Sequence, residues 1–198
     1  TTVTKPKLLM TRVVSPAVIE RARRDYDLDL NEDDHIMSVD ELVARCQGKD
    51  AALVTLTEKF TPEVIGRLPP SLRVIATYSV GFEHTDLAAA NARRIRVANT
   101  PDAVTIATAE IAMLLILGSA RGAPEGERLL KDKKWGGWQP MQLIGRRLDG
   151  KRLGVMGLGK IGQAIAKRAR AFDMEIHYYN RRRCAPARWR GWWRPGAR

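Results

Sequence analysis

The sequence predicts an α/β fold in which parallel strands alternate with helices. Through the first hundred residues, short apolar segments rich in valine, leucine and isoleucine are separated by segments with helical start and stop signals. Parallel strands need a helical crossover between them, so this alternation indicates βαβ units and an open sheet flanked by helices. A second strand–helix–strand pattern follows residue 150. We therefore expect two α/β parts.

The elements of the first part follow from apolar runs and helix start signals. Ser15 before Pro16 is such a signal, because serine caps a helix and proline suits its first position. Thr61-Pro62 opens a helix in the same way, and Pro69-Pro70 ends it. The predicted strands are 7–14, 27–30, 51–56, 72–77 and 95–99, and the other predicted helices are 16–24, 38–47 and 86–94.

The second part begins with the longest helical pattern in the chain. Residues 105–121 are rich in alanine, leucine and isoleucine, so we expect a helix that is buried on nearly all sides. Residues 122–149 are charged and glycine-rich, which indicates a connecting arm. A strand, a turn, a helix and a strand are then predicted over 152–156, 157–162, 163–172 and 175–179.

Charge and composition exclude several classes of partner. The net charge is +12, but seven arginines lie in residues 181–198, so the preceding part carries only +5 and does not favour nucleic acid. No apolar run is long enough to suggest a membrane span or a secretory signal. Cys46 and Cys184 are too few for a disulfide framework or a zinc site. A cytoplasmic protein without a metal is expected.

A glycine-rich turn carries the chemistry of the second part. Gly157, Gly159 and Gly162 form a GxGxxG motif between a predicted strand and a predicted helix, which is the context of a dinucleotide-binding loop. The three glycines allow a tight turn, a close approach to a pyrophosphate, and close helix–strand packing, in that order. The helix N-terminus then faces the phosphates. The candidate cofactor-binding residues here are Gly157, Leu158, Gly159, Lys160, Ile161 and Gly162.

The end of the following strand indicates which dinucleotide is preferred. An acidic residue there would bind the ribose 2′-hydroxyl, but this chain has Asn180, Arg181 and Arg182. Guanidinium groups bind a 2′-phosphate through paired, charge-assisted hydrogen bonds. The sequence therefore predicts a preference for NADP(H), with NAD(H) as the other possibility. The alternative is that these arginines only begin a basic tail.

Four stretches resemble the D-2-hydroxyacid dehydrogenase family in order and spacing, over residues 5 to about 183. ATYSVGFEHTDL (76–87) resembles the substrate-domain loop of that family, and NTPDAVTIATAE (99–110) resembles the entry to its interdomain helix. Residues 119–138 resemble its dimerisation arm, and LDGKRLGVMGLGKIG (148–162) resembles its cofactor strand and loop. The similarity is greatest to NADPH-preferring glyoxylate/hydroxypyruvate reductases.

This resemblance implies a domain organisation and an activity. It implies a flavodoxin-like substrate domain over 1–101, and the first half of a Rossmann NAD(P)-binding domain with its interdomain helix and dimerisation arm over 102–183. It also implies a homodimer that reduces glyoxylate or hydroxypyruvate to glycolate or glycerate with NADPH. Two alternatives stay open: a phosphoglycerate or other D-2-hydroxyacid dehydrogenase, and a corepressor-like binding protein that senses a dinucleotide.

The resemblance also implies site residues. The backbone N–H groups of Val80 and Gly81 would bind the substrate carboxylate, as consecutive amides in a glycine turn can. The alternative is that Gly81 serves only the turn. Thr108 would lie against the nicotinamide ring with Val104 beside it, or else Thr108 is an ordinary helix residue.

No catalytic residue is assigned. In the family that the chain resembles, a histidine supported by a glutamate donates the proton and an arginine orients the keto acid, all beyond the second strand of the nucleotide domain. His35, His84 and His177 match none of these, so we expect structural or solvated roles for them. Residues 184–198 are a basic tail of tryptophan, arginine and proline that resembles the product of a shifted reading frame. A C-terminally truncated, inactive form is therefore expected.

Overall fold

The computed structural model describes residues 4–181, which form two compact units. The first unit extends to Ala103, and the second begins at Val104. Arg182 and the tail 184–198, both of which carry predictions, lie outside the described residues.

The first unit is a five-stranded parallel sheet with helices in the crossovers. The strand order is β2-β1-β3-β4-β5, and every pairing is parallel. This is the flavodoxin-like order, so the predicted fold class is confirmed. The strands are β1 (Lys7–Met10), β2 (Asp27–Leu30), β3 (Ala51–Val54), β4 (Val74–Thr77) and β5 (Arg96–Ala98), and the helices are α1 (Pro16–Asp25), α2 (Val39–Arg45), α3 (Pro62–Arg67) and α4 (Leu87–Ala92).

Both faces of this sheet are covered. Successive side chains of a strand point to opposite faces, and β1 shows the division clearly. Leu9 belongs to the larger core cluster, which it shares with buried side chains of α2, α3 and α4. Leu8 and Met10 belong to a second cluster, which includes Ala22 of α1. The unit therefore has three layers, with α1 on one face and the other three helices on the opposite face.

Three of the four helices in this unit begin with a side-chain cap. Ser38, Thr61 and Asp86 each accept a hydrogen bond from a backbone N–H in the first turn of the helix that follows. Ser15 precedes α1 as predicted, but its side chain makes no cap hydrogen bond. The start of α1 therefore depends on Pro16, whose fixed φ suits the first helical position, rather than on a serine cap.

Over its described residues, 104–181, the second unit is a two-stranded parallel sheet with three helices. The strands are β6 (Arg152–Met156) and β7 (Glu175–Tyr179), and the helices are α5 (Thr105–Arg121), α6 (Ala123–Lys131) and α7 (Lys160–Arg170). The βαβ unit of β6, α7 and β7 follows the predicted order, although α7 begins at Lys160, earlier than expected. Helix α6 lies in the segment predicted as an arm. Gly122, at φ 64°, separates it from α5.

The prediction that the 105–121 helix is buried on nearly all sides is wrong within this chain. Ala109 and Met113 are the buried residues of α5, and Met113 packs with Leu158, Ala166 and Tyr178 in the core of the second unit. Side chains on other faces are exposed, and Leu114 keeps 63% of its surface accessible. The apolar composition of a helix predicts that the surface of the helix is covered, but it does not identify what covers it.

Among the described helices, none is by itself long and apolar enough to span a membrane. Helices α5 and α6 reach that length and hydropathy only together, and they are bent by 70° where they meet.

Candidate functional site

The turn between β4 and α4 contains the two residues predicted to bind a substrate carboxylate. Val80 and Gly81 follow Thr77, the last residue of β4, and Val80 is 37% exposed. Within residues 4–181, the backbone N–H groups of Val80 and Gly81 donate no hydrogen bond. Two consecutive donors are therefore available to a ligand, as an anion nest requires.

Two carbonyl groups of the same turn accept hydrogen bonds from the segment after β5. The backbone N–H of Thr100 donates to the carbonyl oxygen of Ser79 at 2.9 Å. The side-chain Nδ2 of Asn99 donates to the carbonyl oxygen of Val80 at 2.7 Å. The turn is thus held from one side, while the N–H groups of Val80 and Gly81 have no acceptor within residues 4–181. Asn99 could not be identified from the sequence, because a linear pattern does not show where an asparagine side chain donates.

A chain of hydrogen bonds also ends on Gly81. The Nε2 atom of His84 lies 3.0 Å from Oγ1 of Thr77, which lies 2.7 Å from Oγ of Ser79. Ser79 donates its one hydroxyl hydrogen to the carbonyl oxygen of Gly81 at 2.6 Å. Thr77 must then donate to Ser79, and His84 must donate to Thr77. Because Ser79 and Thr77 each have one hydroxyl hydrogen, Nε2 of His84 must carry the hydrogen of the third bond.

His84 is buried, with 8% of its surface exposed, and not solvated. Its Nδ1 atom has no partner among the described residues. Burial lowers the pKa of His84 below its ordinary value, and the positive charge of Lys59 lowers it further, while Glu83 and Glu58 act in the opposite direction. The side chain is therefore a neutral hydrogen-bond donor near neutral pH, a structural role consistent with one of the two expected for it.

A buried carboxylate lies in the loop after β3. Glu58 accepts hydrogen bonds from Oγ1 of Thr11 at 2.9 Å, the backbone N–H of Thr55 at 2.8 Å and Oγ1 of Thr57 at 2.6 Å. Burial raises the pKa of Glu58, but these hydrogen bonds outweigh burial, so the pKa lies below its ordinary value. Phe60, two residues later, donates its N–H to the carbonyl of His84 at 2.8 Å. Glu58 therefore orders a loop that supports the candidate turn.

The glycine motif has the geometry that its spacing predicts. Gly157 has φ of +94°, a conformation that glycine adopts without strain, and its N–H donates to the carbonyl of Tyr179 at 2.8 Å. A Cβ atom added to Gly162 would overlap the carbonyl oxygen of Gly157 and lie 3.2 Å from Cγ1 of Val155. Only glycine at position 162 lets α7 pack this closely on β6.

Gly159 is the residue before the first turn of α7, and it is open. A Cβ atom added there would meet no atom within 4 Å, and its φ of −73° suits any residue. The carbonyl of Gly159 accepts from the N–H of Gln163 at 2.9 Å, so the helix is already formed at this point. The first N–H groups of a helix lack helical partners and carry a positive partial charge. This end of α7 fits a phosphate group beside Gly159.

The end of β7 returns to the same turn. Oδ1 of Asn180 accepts a hydrogen bond from the backbone N–H of Leu158 at 2.7 Å, and Leu158 itself is buried. Arg181 is exposed immediately after Asn180. These two predicted cofactor residues therefore lie at the carboxyl end of the strand that pairs with β6.

Val104 and Thr108 lie one turn apart at the start of α5. The N–H of Thr108 donates to the carbonyl of Val104 at 2.9 Å, and both residues are exposed. Two residues further, Glu110 forms an ion pair with Arg168 at 3.2 Å, which connects α5 to α7. This ion pair gives Glu110 a contact within its own unit. Val80 and Gly81 thus lie in the first unit, and the described cofactor candidates lie in the second.

Comparison with known proteins gives the family. Residues 8–185 match the family model of the D-isomer specific 2-hydroxyacid dehydrogenase, catalytic domain. The glycerate dehydrogenase of Hyphomicrobium methylovorum is 49% identical over 181 residues, which cover 91% of this chain and 56% of that protein. The glyoxylate reductase of Pyrococcus horikoshii is 37% identical over 183 residues, which cover 90% of this chain and 54% of that protein.

A solved structure agrees. A protein of Polaromonas sp. JS6 66, provisionally described as a D-isomer specific 2-hydroxyacid dehydrogenase, NAD-binding, superimposes with a TM-score of 0.85 at 44% identity. The match covers 92% of this chain and 57% of that protein. The chain therefore spans little more than half the length of these relatives. On the match of residues 8–185, the chain belongs to the family of D-isomer specific 2-hydroxyacid dehydrogenases.

Proposed function

We propose that this chain supplies the carboxylate-binding turn and the dinucleotide-phosphate loop of an NADPH-dependent reductase. The proposed substrates are glyoxylate and hydroxypyruvate, and the products are glycolate and glycerate. The observation that carries the proposal is the pair of consecutive N–H groups at Val80 and Gly81, which donate to no acceptor among the described residues, in a 2-hydroxyacid dehydrogenase fold. The relatives named glycerate dehydrogenase and glyoxylate reductase support these substrates over larger hydroxy acids.

The proposed role of the turn is to bind and orient a small 2-keto acid. Val80 and Gly81 donate hydrogen bonds to the two carboxylate oxygens, which fixes one end of the substrate while the keto carbon stays free to react. The nicotinamide of a bound dinucleotide supplies the hydride. Backbone donors suit this role because they are held by the fold and do not lose side-chain entropy on binding.

The proposed dinucleotide site combines the open position at Gly159 with the N-terminus of α7. The pyrophosphate is placed beside Gly159, where a side chain would intrude on it. Val104 and Thr108 are proposed to contact the nicotinamide ring, and Arg181 with Arg182 to bind the 2′-phosphate of NADPH. NADH remains the second candidate, since the Polaromonas protein is described as NAD-binding.

Substitution of Gly159 tests this site against a matched control in the same unit. Gly154, on the exposed face of β6, also has no atom within 4 Å of an added Cβ. Both Gly159→Ala and Gly154→Ala should therefore fold as the wild type does. We expect Gly159→Ala to weaken NADPH binding at least about tenfold, or about 1.4 kcal/mol, because the methyl group meets the pyrophosphate. Gly154→Ala should bind as the wild type.

The measurement is NADPH affinity by isothermal titration calorimetry, with thermal unfolding of each variant as the fold control. If Gly159→Ala binds NADPH as tightly as Gly154→Ala, the dinucleotide is not at this turn. If the wild type binds neither NADPH nor NADH, this part of the proposed function is wrong.

A homodimer is part of the proposal. Leu114 and Leu115 on α5 are 63% and 65% exposed, and Trp138 in the arm is 81% exposed. Large apolar side chains that are exposed in this way are typical of a protein interface. Size-exclusion chromatography with light scattering should give twice the monomer mass, and a monodisperse monomer would count against the dimer.

A cytoplasmic setting is also proposed. Cys46 is a free, fully buried thiol, and burial raises its pKa to about 11, so it is protonated and unreactive at neutral pH. A thiol that is not paired in a disulfide fits a reducing compartment.

A further inference from the structure

We propose that Asn99 is a positioning residue that aims the N–H of Gly81 at the carboxylate of the substrate. The inference rests on the proposed function, because it takes the turn at Val80 and Gly81 as the carboxylate site. Its basis is the hydrogen bond of 2.7 Å from Nδ2 of Asn99 to the carbonyl oxygen of Val80.

That hydrogen bond sets the direction of the Gly81 N–H. The carbonyl of Val80 and the N–H of Gly81 belong to one planar peptide group, and in a trans peptide they point in opposite directions. A donor that holds the carbonyl from one side therefore turns the N–H to the other side. Asn99 acts on the Gly81 N–H in this way without contacting it.

The neighbouring peptide is fixed from the same segment. The N–H of Thr100 donates to the carbonyl oxygen of Ser79 at 2.9 Å, which turns the N–H of Val80 away from residues 99 and 100. Because Asn99 and Thr100 are adjacent, both N–H groups are directed to the side of the turn opposite this segment. Two donors that face the same side can share one anion.

Gly81 is the position where this restraint is needed most. Glycine adopts φ values of either sign at little cost, so a peptide that precedes a glycine can rotate between two orientations. Rotation of the Val80–Gly81 peptide would present the carbonyl oxygen, and not the N–H, to an incoming carboxylate. An N–H donor would be replaced by an oxygen that repels the carboxylate. The loss of binding free energy at the anion site would therefore exceed that of one hydrogen bond.

The carbonyl of Gly81, by contrast, is held from within the turn. Ser79 donates to it at 2.6 Å at the end of the hydrogen-bond chain from His84. That restraint acts on the next peptide, between Gly81 and Phe82. Within the described residues, Asn99 is therefore the side chain that restrains the peptide carrying the Gly81 N–H.

The experiment compares substitutions at two asparagines in the full 198-residue chain. Asn99→Ala removes the donor. Asn91→Ala is the matched control, since Asn91 is an exposed residue of α4 whose side chain makes no hydrogen bond among residues 4–181. Asn99→Gln, which keeps an amide donor on a longer side chain, is the conservative variant. Glycolate is the probe, and amide and carbonyl resonances are followed by NMR.

Two results are expected. Without glycolate, the carbonyl ¹³C resonance of Val80 and the amide ¹⁵N resonance of Gly81 shift in Asn99→Ala and stay in place in Asn91→Ala. With glycolate, the dissociation constant read at the Gly81 amide rises at least fivefold in Asn99→Ala, roughly 1 kcal/mol. It rises less in Asn99→Gln and stays within about twofold in Asn91→Ala.

The outcomes separate this inference from the proposed function. If the wild-type amides of Val80 and Gly81 do not respond to glycolate, the carboxylate site is wrong and the inference falls with it. If the wild type responds and Asn99→Ala binds glycolate equally well, the inference alone is overturned. An unshifted Val80 carbonyl in Asn99→Ala also overturns it, and this readout needs no ligand. Should Asn99→Ala not fold, Asn99→Leu, which removes the donor and keeps a side chain of similar size, takes its place. Wild-type glycolate affinity with an unshifted Val80 carbonyl in Asn99→Leu then overturns the inference.

Discussion

Oδ1 of Asn180 accepts a hydrogen bond from the backbone N–H of Leu158 at 2.7 Å, and this bond ties the end of β7 to the turn that follows β6. Leu158 is 1% exposed, and the hydrogen bond itself is partly buried. The position where many dinucleotide-binding folds carry an acidic ribose ligand is thus occupied here by a side chain that stabilises the glycine turn.

Substitution of Asn180 should separate this structural role from any contact with the cofactor. Asn180→Ala removes the hydrogen bond from the backbone N–H of Leu158, which costs about 1–3 kcal/mol. Asn180→Asp retains an acceptor oxygen at the same position, so we expect the free energy of unfolding of the second unit to stay within about 1 kcal/mol of wild type. Urea titrations monitored through the amide resonances of β6 and β7 measure the free energy of unfolding of both variants. Equal stability of Asn180→Ala and wild type would show that the bond is dispensable.

Most regular elements of both units, with α6 as the exception, could be predicted from the sequence because their signals are local. Strand β2 lies at the predicted residues 27–30, and Thr61 and Asp86 cap the predicted helices. The glycine motif was recognisable because Gly157 and Gly162 are each required by backbone geometry that the spacing already implies. In these cases the sequence within one turn or one strand contains the physical reason for the structure.

Contacts between segments far apart in the sequence could not be predicted. Asn99 and Val80 are 19 positions apart, and the hydrogen bond between them depends on the pairing of β4 with β5. The burial of α5 was wrongly predicted for a related reason. The apolar composition of α5 indicates that the helix is buried on all sides. Only the folded chain shows that Leu114 and Leu115 are exposed.

Cofactor preference is tested at Arg181. A charge-assisted hydrogen bond contributes about 1.5–3 kcal/mol, so its replacement by a repelling carboxylate should change affinity for a 2′-phosphate by at least tenfold. We expect Arg181→Asp to weaken NADPH binding by that factor and to leave NADH binding unchanged or improved. Lys167→Asp, an equal change of charge on the exposed surface of α7, should leave the NADPH/NADH affinity ratio unchanged. An unaltered ratio in Arg181→Asp would mean that this arginine only begins the basic tail.

Gly162 should tolerate no side chain. Its added Cβ would overlap the carbonyl oxygen of Gly157, which is backbone and cannot move aside without displacing the turn. Overpacking of this kind costs about 1–3 kcal/mol. Gly162→Ala should therefore lower the free energy of unfolding of the second unit, whereas Gly154→Ala, which meets open space, should not. Similar urea midpoints for the two variants would refute the close packing of α7 on β6.

The stability of the first unit should depend on pH through His84. Burial, followed by the charge of Lys59, lowers the pKa of His84 in the folded state. Between that lowered pKa and the ordinary histidine value of about 6.5, the unfolded chain binds more protons than the folded chain. Stability from His84 is thus fully present above about pH 6.5 and is lost as the pH falls through the folded-state pKa.

We expect the free energy of unfolding, measured from the amide resonances of β4 in urea, to fall as the pH is lowered from 7 to 5. His84→Gln should show a smaller fall, because glutamine can still donate to Thr77 but does not titrate. Lys59→Gln should also lessen the fall, since removal of the nearby positive charge raises the folded-state pKa of His84 toward its ordinary value. If wild type and His84→Gln lose the same stability over this range, the pH dependence has another source, and the buried imidazole is not held neutral by its surroundings.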